Sequence, residues 1–316
     1  SIFVSIAARL NVDKIQHLVT LCVKPNEITE AWLTFMGQLG ETIGKRNDDK
    51  DSFLLIRDSI FPIAFPQPSP EQETEEQKAA KEKLTLTARD SLILILQYYL
   101  TPEELVNFSQ QLGHKCNNPL LFFQLMVQPV SSTALENEGY CKELLTRSID
   151  YLNDNTEGHK TIYTFIYNLC LKNSIKIPDD LASDLFTHSD DADFYNFAVS
   201  VVNSDLISFD FIESFILGKT EKITADFAML VSAFIYKLND YTNQLTHLPI
   251  VGDSILWKLA TTDSPQRADF SNMLTQMYAS NDGVQLSDKA VITDFINSWS
   301  QKFNQSRSVT NDETDA

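Results

Sequence analysis

Only nine glycines occur in 316 residues, and strand-like alternation of apolar and polar residues is scarce. Both shortages turn the reading away from sheet. Cysteine is rare as well: Cys22, Cys116, Cys141 and Cys170 lie far apart, with no Cys-x-x-Cys. That spacing excludes a zinc ribbon, and thiols inside apolar helical patterns suit a reducing compartment. The five histidines, His17, His114, His159, His188 and His247, show no His-Glu-x-x-His or other paired spacing. Positive charge is the next deficit: 25 basic side chains stand against 43 acidic ones, for a net charge of -18. The densest basic cluster, Lys45-Arg46 with Lys50, is interrupted by Asp48 and Asp49. A nucleic-acid binder needs a basic footprint to displace counterions, and an anionic membrane needs the same. Neither partner is expected; the charge suits solubility and a basic protein surface. Long apolar runs are missing too. "LILIL" at 92–96 is far too short to span a bilayer, so no membrane insertion is expected. "SIFVSIAARL" at 1–10 lacks the basic start of a secretory signal. The expected compartment is the cytoplasm, with the nucleus as the alternative.

What is present is helical periodicity. Hydrophobic residues make up 43% of the chain, enough for a core. Leu92, Ile95, Leu96, Tyr99 and Leu100 follow i, i+3, i+4, i+7, i+8, and Ile162, Phe165, Ile166 and Leu169 do the same. Phe227, Leu230, Val231, Phe234, Ile235 and Leu238 extend the pattern over three turns. It returns at Phe270 to Tyr278 and from Val291 to Phe303. Each stripe predicts one buried helix face, giving about twelve to fifteen helices in all. Caps mark the starts. In "TPEE", Thr101 is an N-cap, Pro102 the first helical residue and Glu104 the reciprocal acid of a capping box. "PDDL" near 178 puts acids in a first turn, where the helix dipole favours them. "SPEQ" at Ser69 predicts another start at Pro70, polar on all sides until Leu84. It follows four prolines between Pro62 and Pro70, which predict an extended connector.

A repeat is visible in the helix ends. "FIYNLCLKN" (165–173) and "FIYKLNDYTN" (234–243) both place Ile-Tyr-x-Leu before Asn. "FAVSVVNSD" (197–205) and "MLTQMYASN" (273–281) are weaker copies. These ends, near 169, 203, 238 and 278, lie roughly 35–40 residues apart, the range of helical repeats. Asn168, Leu169 and Asn173 resemble the end of the third helix of an armadillo repeat. The chain thus resembles the armadillo/HEAT-like helical-repeat superfamily over about residues 90–305, with a divergent ataxin-10-type armadillo protein as one fit. The resemblance implies a Leu filling the shared core and a helix-end Asn capping carbonyls.

Three candidate chemistries fail in detail. "GQLGETIGKR" (37–46) is not a phosphate loop: Gly40 to Gly44 is one residue short, and Arg46 stands where Ser or Thr must hold magnesium. Gly37, Gly40 and Gly44 instead form a small-residue face on a helix starting at Asn26-Glu27. "HSDDADF" (188–194) lacks the Gly and terminal Glu of a calcium loop, so Asp190 and Asp191 read as a cap and first turn. Glu103-Glu104 and Asp179-Asp180 read as solvated first turns. Aromatics in "DFYNF" (193–197) and "FDFIESF" (209–215) predict helices buried on two sides, or an aromatic groove lining.

The expected fold is all-α, a right-handed superhelical stack of armadillo/HEAT-like helical repeats. Residues 1–60 form an N-terminal layer packed on the stack, 61–83 a Pro-rich and charged connector, 84–306 the solenoid and 307–316 a disordered acidic tail. The expected function is non-enzymatic: a protein-interaction scaffold or adaptor holding a partner protein that offers a basic surface or segment. No catalytic, metal or cofactor-binding residue and no cofactor is expected, and no partner-binding residue is assigned. Two alternatives stand beside it: an exchange-factor or chaperone-type regulator of a nucleotide-switch protein, and a helical enzyme without a recognisable motif.

Overall fold

The computed structural model describes residues 5, 8–66, 74–116, 118–191, 193–219 and 224–238. Of these, 76% are helical and none lies in a strand. The all-α expectation holds for them. The stripes at 270–278 and 291–303, His247, Asn243, Ser69–Gln72 and the acidic tail lie outside the described residues. The chain divides into two compact units at the Ile175–Lys176 bond.

The first unit carries eight described helices. These are α1 (Val12–Cys22), α2 (Glu30–Arg46), α3 (Lys50–Ala64), α4 (Glu75–Ile95), α5 (Pro102–Lys115), α6 (Pro119–Ser132), α7 (Glu138–Asp154) and α8 (His159–Asn173). Two helices organise it. α4 packs against α2 and α3, and α8 packs against α6 and α7. The glycine face explains how α2 comes so close to α4. A Cβ on Gly37 would stand 2.8 Å from Ser91 Cβ, and one on Gly40 would stand 2.9 Å from Ile95 Cγ2. At Gly44 it would run into the Tyr98 ring. Ser91, itself small, donates its hydroxyl to Leu33 O at 3.0 Å across the same seam. In the other half, Phe123 meets Phe165 edge-on at 5.0 Å and Phe122 at 5.3 Å, all three fully buried. Each such side chain contributes about 1.5–3 kcal/mol through its burial.

Two starts and one end in this unit differ from the sequence reading. α2 begins at Glu30, because the Thr29 hydroxyl accepts from Trp32 N at 3.2 Å and supplies the cap that Asn26 does not. α4 begins at Glu75 with a full capping box of its own, Thr74 with Gln77. The prolines also begin later to matter: α3 runs on to Ala64 with Pro62 inside it, and Ala64 and Phe65 are buried. Pro62 is exposed, and a single missing backbone donor near a helix end is tolerated there. The polar start of α4 is as expected. Nothing in it is buried before Thr85.

The second unit contributes α9 (Asp179–Phe186), α10 (Phe194–Asn203), α11 (Phe209–Gly218) and α12 (Ala225–Leu238). Phe186 is its aromatic hub, edge-on to Phe194 at 4.9 Å, Phe211 at 5.1 Å and Phe215 at 4.8 Å. The aromatics of 193–197 and 209–215 therefore gather on Phe186, while Tyr195 meets Phe227 and Phe209 stacks on Phe234. Phe194 and Phe197 are buried, and Phe211 and Phe215 are half-buried. α10 starts at Phe194 without a side-chain cap, and Asp191 Oδ1 accepts from Asp193 N at 2.8 Å one turn earlier.

Two helix ends share one geometry. After α8, Ser174 takes φ 53°, Ile175 N donates to Cys170 O at 3.0 Å and Ser174 N to Leu171 O at 3.3 Å. After α10, Asp205 takes φ 57°, Leu206 N donates to Val201 O at 2.9 Å and Asp205 N to Val202 O at 3.1 Å. Both are Schellman ends, in which a left-handed residue turns the chain back to satisfy the last carbonyls.

Candidate docking cleft

α4 is apolar on more than one side. Its inner face, Thr85, Ala88, Ser91, Leu92 and Ile95, is buried. A second stripe, Leu86, Arg89, Asp90 and Ile93, follows the same i, i+3, i+4, i+7 spacing and faces a cleft of about 660 Å³. Leu86 remains 52% exposed, high for a leucine on a packed helix. The cleft is closed by Phe65 and Pro66 after α3, by the end of α5 and by Leu121 and Gln124 on α6.

Its cations are held by neighbours. Arg89 Nε donates to Ala64 O at 3.1 Å, and its guanidinium lies 5.8 Å from the Phe65 ring centroid. Lys115 Nζ lies 5.3 Å from the Phe61 ring centroid. Phe61 is fixed in turn by Phe65 at 5.0 Å and Phe108 at 6.1 Å. Cation–π contacts of this kind contribute about 0.5–1 kcal/mol at exposed sites, enough to bias where a long side chain rests. The floor is Cys116, 8% exposed. Burial pushes its thiol up to about 11, against the opposing pull of Arg89 and Arg147. At neutral pH it is a neutral thiol and a poor nucleophile. His114 lines the cleft beside it.

The residues weighed from the sequence fall elsewhere. Glu104 closes its capping box with Thr101 and accepts from Lys50 Nζ at 3.0 Å, which holds its carboxyl below the ordinary value. Asp179 and Asp180 are exposed in the first turn of α9. His17 is exposed, and His159 Nε2 lies 2.6 Å from Asn155 O. Cys141 and Cys170 are buried, with thiols pushed up by burial to about 11 and about 12. Among the described residues no group of three His, Cys, Asp or Glu side chains could hold a metal. None of the described helices is long and apolar enough to cross a membrane. The cleft was not assigned from the sequence. Its signal was there: Leu86 and Ile93 stand off the Leu92–Ile95 stripe, so α4 has more apolar positions than one buried face needs. No family model, curated protein or solved structure matches this chain.

Proposed function

We propose that the chain is a non-enzymatic protein-interaction scaffold or adaptor of the cytoplasm, a helical-repeat protein that holds a partner against its helices. The observation that carries this reading is the cleft beside α4. It combines exposed apolar side chains with a few fixed polar groups, the composition of binding sites. Its thiol is buried and neutral, so recognition is better served than covalent chemistry. The repeat part of the reading, a right-handed superhelical stack, draws on the two Schellman ends. Ser174 and Asp205 stand 31 positions apart, and Ile175 and Leu206 come after them at the same offset. That interval is shorter than the spacing read from the sequence, and it suits a compact two-helix unit.

The test is paired affinity capture with the full chain and a Leu86→Ala variant, read by quantitative mass spectrometry. A protein retained by the first and lost from the second supports docking at the cleft. An identical set of captured proteins counts against it.

A further inference from the structure

We infer that the cleft beside α4 takes an acidic, apolar peptide segment of a partner protein. The inference rests on the docking reading above and adds the chemistry of the occupant. It runs against the charge of the whole chain, which favours basic partners.

Local charge decides between the two. Two permanent cations, Arg89 and Lys115, face the cleft against one carboxylate, Asp90, with His114 beside them. In a chain with 25 bases and 43 acids this balance is reversed from the average. At physiological salt the screening length is about 8 Å, so a bound segment senses the lip of its own site far more than distant acids. Arg89 is tied to Ala64 O and laid near Phe65, and Lys115 rests near Phe61. Cations fixed in advance lose less freedom on meeting a carboxylate than free ones do. Leu86 and Ile93 offer apolar surface on the same helix face as Arg89. A cleft of about 660 Å³ has room for a few side chains, not a folded domain. An apolar anchor set next to a carboxylate matches both halves of the lining. A basic segment would satisfy Asp90 alone and would meet Arg89 and Lys115 as like charges.

The experiment selects random linear peptides by phage display on the full chain. Enriched peptides are resynthesised with a fluorophore and titrated by anisotropy at physiological salt. Each is measured against the parent, Leu86→Ala and Lys115→Glu, with thermal melts to confirm folding. Both substituted side chains are exposed, so the fold is expected to survive. The inference expects acidic, apolar peptides whose affinity falls about tenfold in Lys115→Glu and several-fold in Leu86→Ala. Basic peptides that weaken in Leu86→Ala but tighten in Lys115→Glu would overturn the acidic occupant and leave the docking reading standing. Peptides indifferent to both substitutions, or no enrichment at all, would overturn both.

Discussion

The backbone amide of Leu135, just before α7, donates to Oδ1 of Asn173 at the end of α8, at 2.7 Å. The Nδ2 of the same asparagine donates to Leu169 O at 2.8 Å. One side chain therefore closes its own helix and pins the segment entering another. Asn203 is likewise the last residue of its helix, α10, but is exposed. Replacing Asn173 with Ala leaves the part-buried Leu135 amide without its partner, and is expected to cost about 1–3 kcal/mol. Asn203→Ala is expected to fall within about 0.5 kcal/mol of the parent. Denaturant melts of the two variants check the contrast; equal midpoints would remove the special role of Asn173.

Leu169 is 1% exposed, whereas Leu171, two positions on, is 46% exposed. Leu169→Ala is expected to lose about 2–5 kcal/mol, the range for emptying a core site. Leu171→Ala on the same helix should change stability by no more than about 0.5 kcal/mol. A small effect at Leu169 would show that the end of α8 is loosely packed.

Helix propensity and packing oppose each other at the glycines. An exchange of Gly for Ala in an exposed helix interior gains about 1 kcal/mol. At Gly113 the new methyl meets only Arg147 Nη1 at 3.4 Å, a flexible group, so Gly113→Ala should stabilise by up to about that amount. At Gly37 it meets Ser91 Cβ at 2.8 Å and Ser91 Cα at 3.0 Å. The Cα is backbone and cannot swing aside, so overpacking of about 1–3 kcal/mol should exceed the propensity gain. Melting temperatures that move in opposite directions would bear this out. A stabilising Gly37→Ala would mean that α2 and α4 separate easily.

The buried thiols make a pH prediction. Burial raises Cys116 and Cys141 to about 11 and Cys170 to about 12, from an ordinary value of 9.0. A group whose folded value is raised contributes stability below its unfolded value and loses it as pH rises through the folded one. The folded chain should therefore weaken between about pH 9 and pH 11–12, where an unfolded thiol ionises and a buried one does not. At pH 8 a thiol reagent should label half-buried Cys22 first, with the other three reacting only on unfolding. Rapid labelling of Cys170 in the folded chain at pH 8 would contradict its burial.

Much of the fold is legible in the sequence, for physical reasons that differ by residue. Ile162, Phe165, Ile166 and Leu169 are all buried as the 3.6-residue period requires, because a helix can hide only one stripe. The Thr101–Glu104 box and the glycine face were legible because their chemistry is local or nearly so. The start of α2 was not, since Asn26 and Thr29 are both acceptable caps and only the Trp32 contact separates them. The four prolines misled at Pro62 because a proline count is blind to Phe61 and Phe65, whose ring contacts carry α3 onward. The cleft was hidden for a further reason. Arg89 and Lys115 are 26 positions apart, and nothing in either neighbourhood announces that tertiary packing brings them to one opening.

Two capping boxes of the same chemistry should behave differently because the residues behind them differ in burial. At α4, Thr74 Oγ accepts from Gln77 N at 3.3 Å, and Gln77 Oε1 accepts from Thr74 N at 2.9 Å. The next residues are exposed as far as Ala80, and the first buried one is Thr85. At α5, Thr101 Oγ accepts from Glu104 N at 3.2 Å, Glu104 Oε2 accepts from Thr101 N at 2.9 Å, and Leu105 directly behind is fully buried. Thr74→Ala should therefore speed hydrogen exchange of the first turns of α4 and leave the global melt unchanged, since those turns open without uncovering core. Thr101→Ala should lower global stability by about 1 kcal/mol. The contribution of Glu104 to the same box should also depend on pH. The amide of Thr101, and then Lys50, hold the Glu104 carboxyl below its ordinary 4.5. A lowered folded value contributes stability above the unfolded value and loses it as pH falls through the folded one. The gap between Glu104→Ala and the parent should accordingly be widest near neutral pH and narrow below about pH 4, as Glu104 takes up its proton. Melts of the three variants at neutral and acid pH, with hydrogen exchange at neutral pH, decide it. A Glu104→Ala gap that holds constant with pH would mean that the Thr101 hydroxyl alone, and not the Glu104 carboxylate, secures the start of α5.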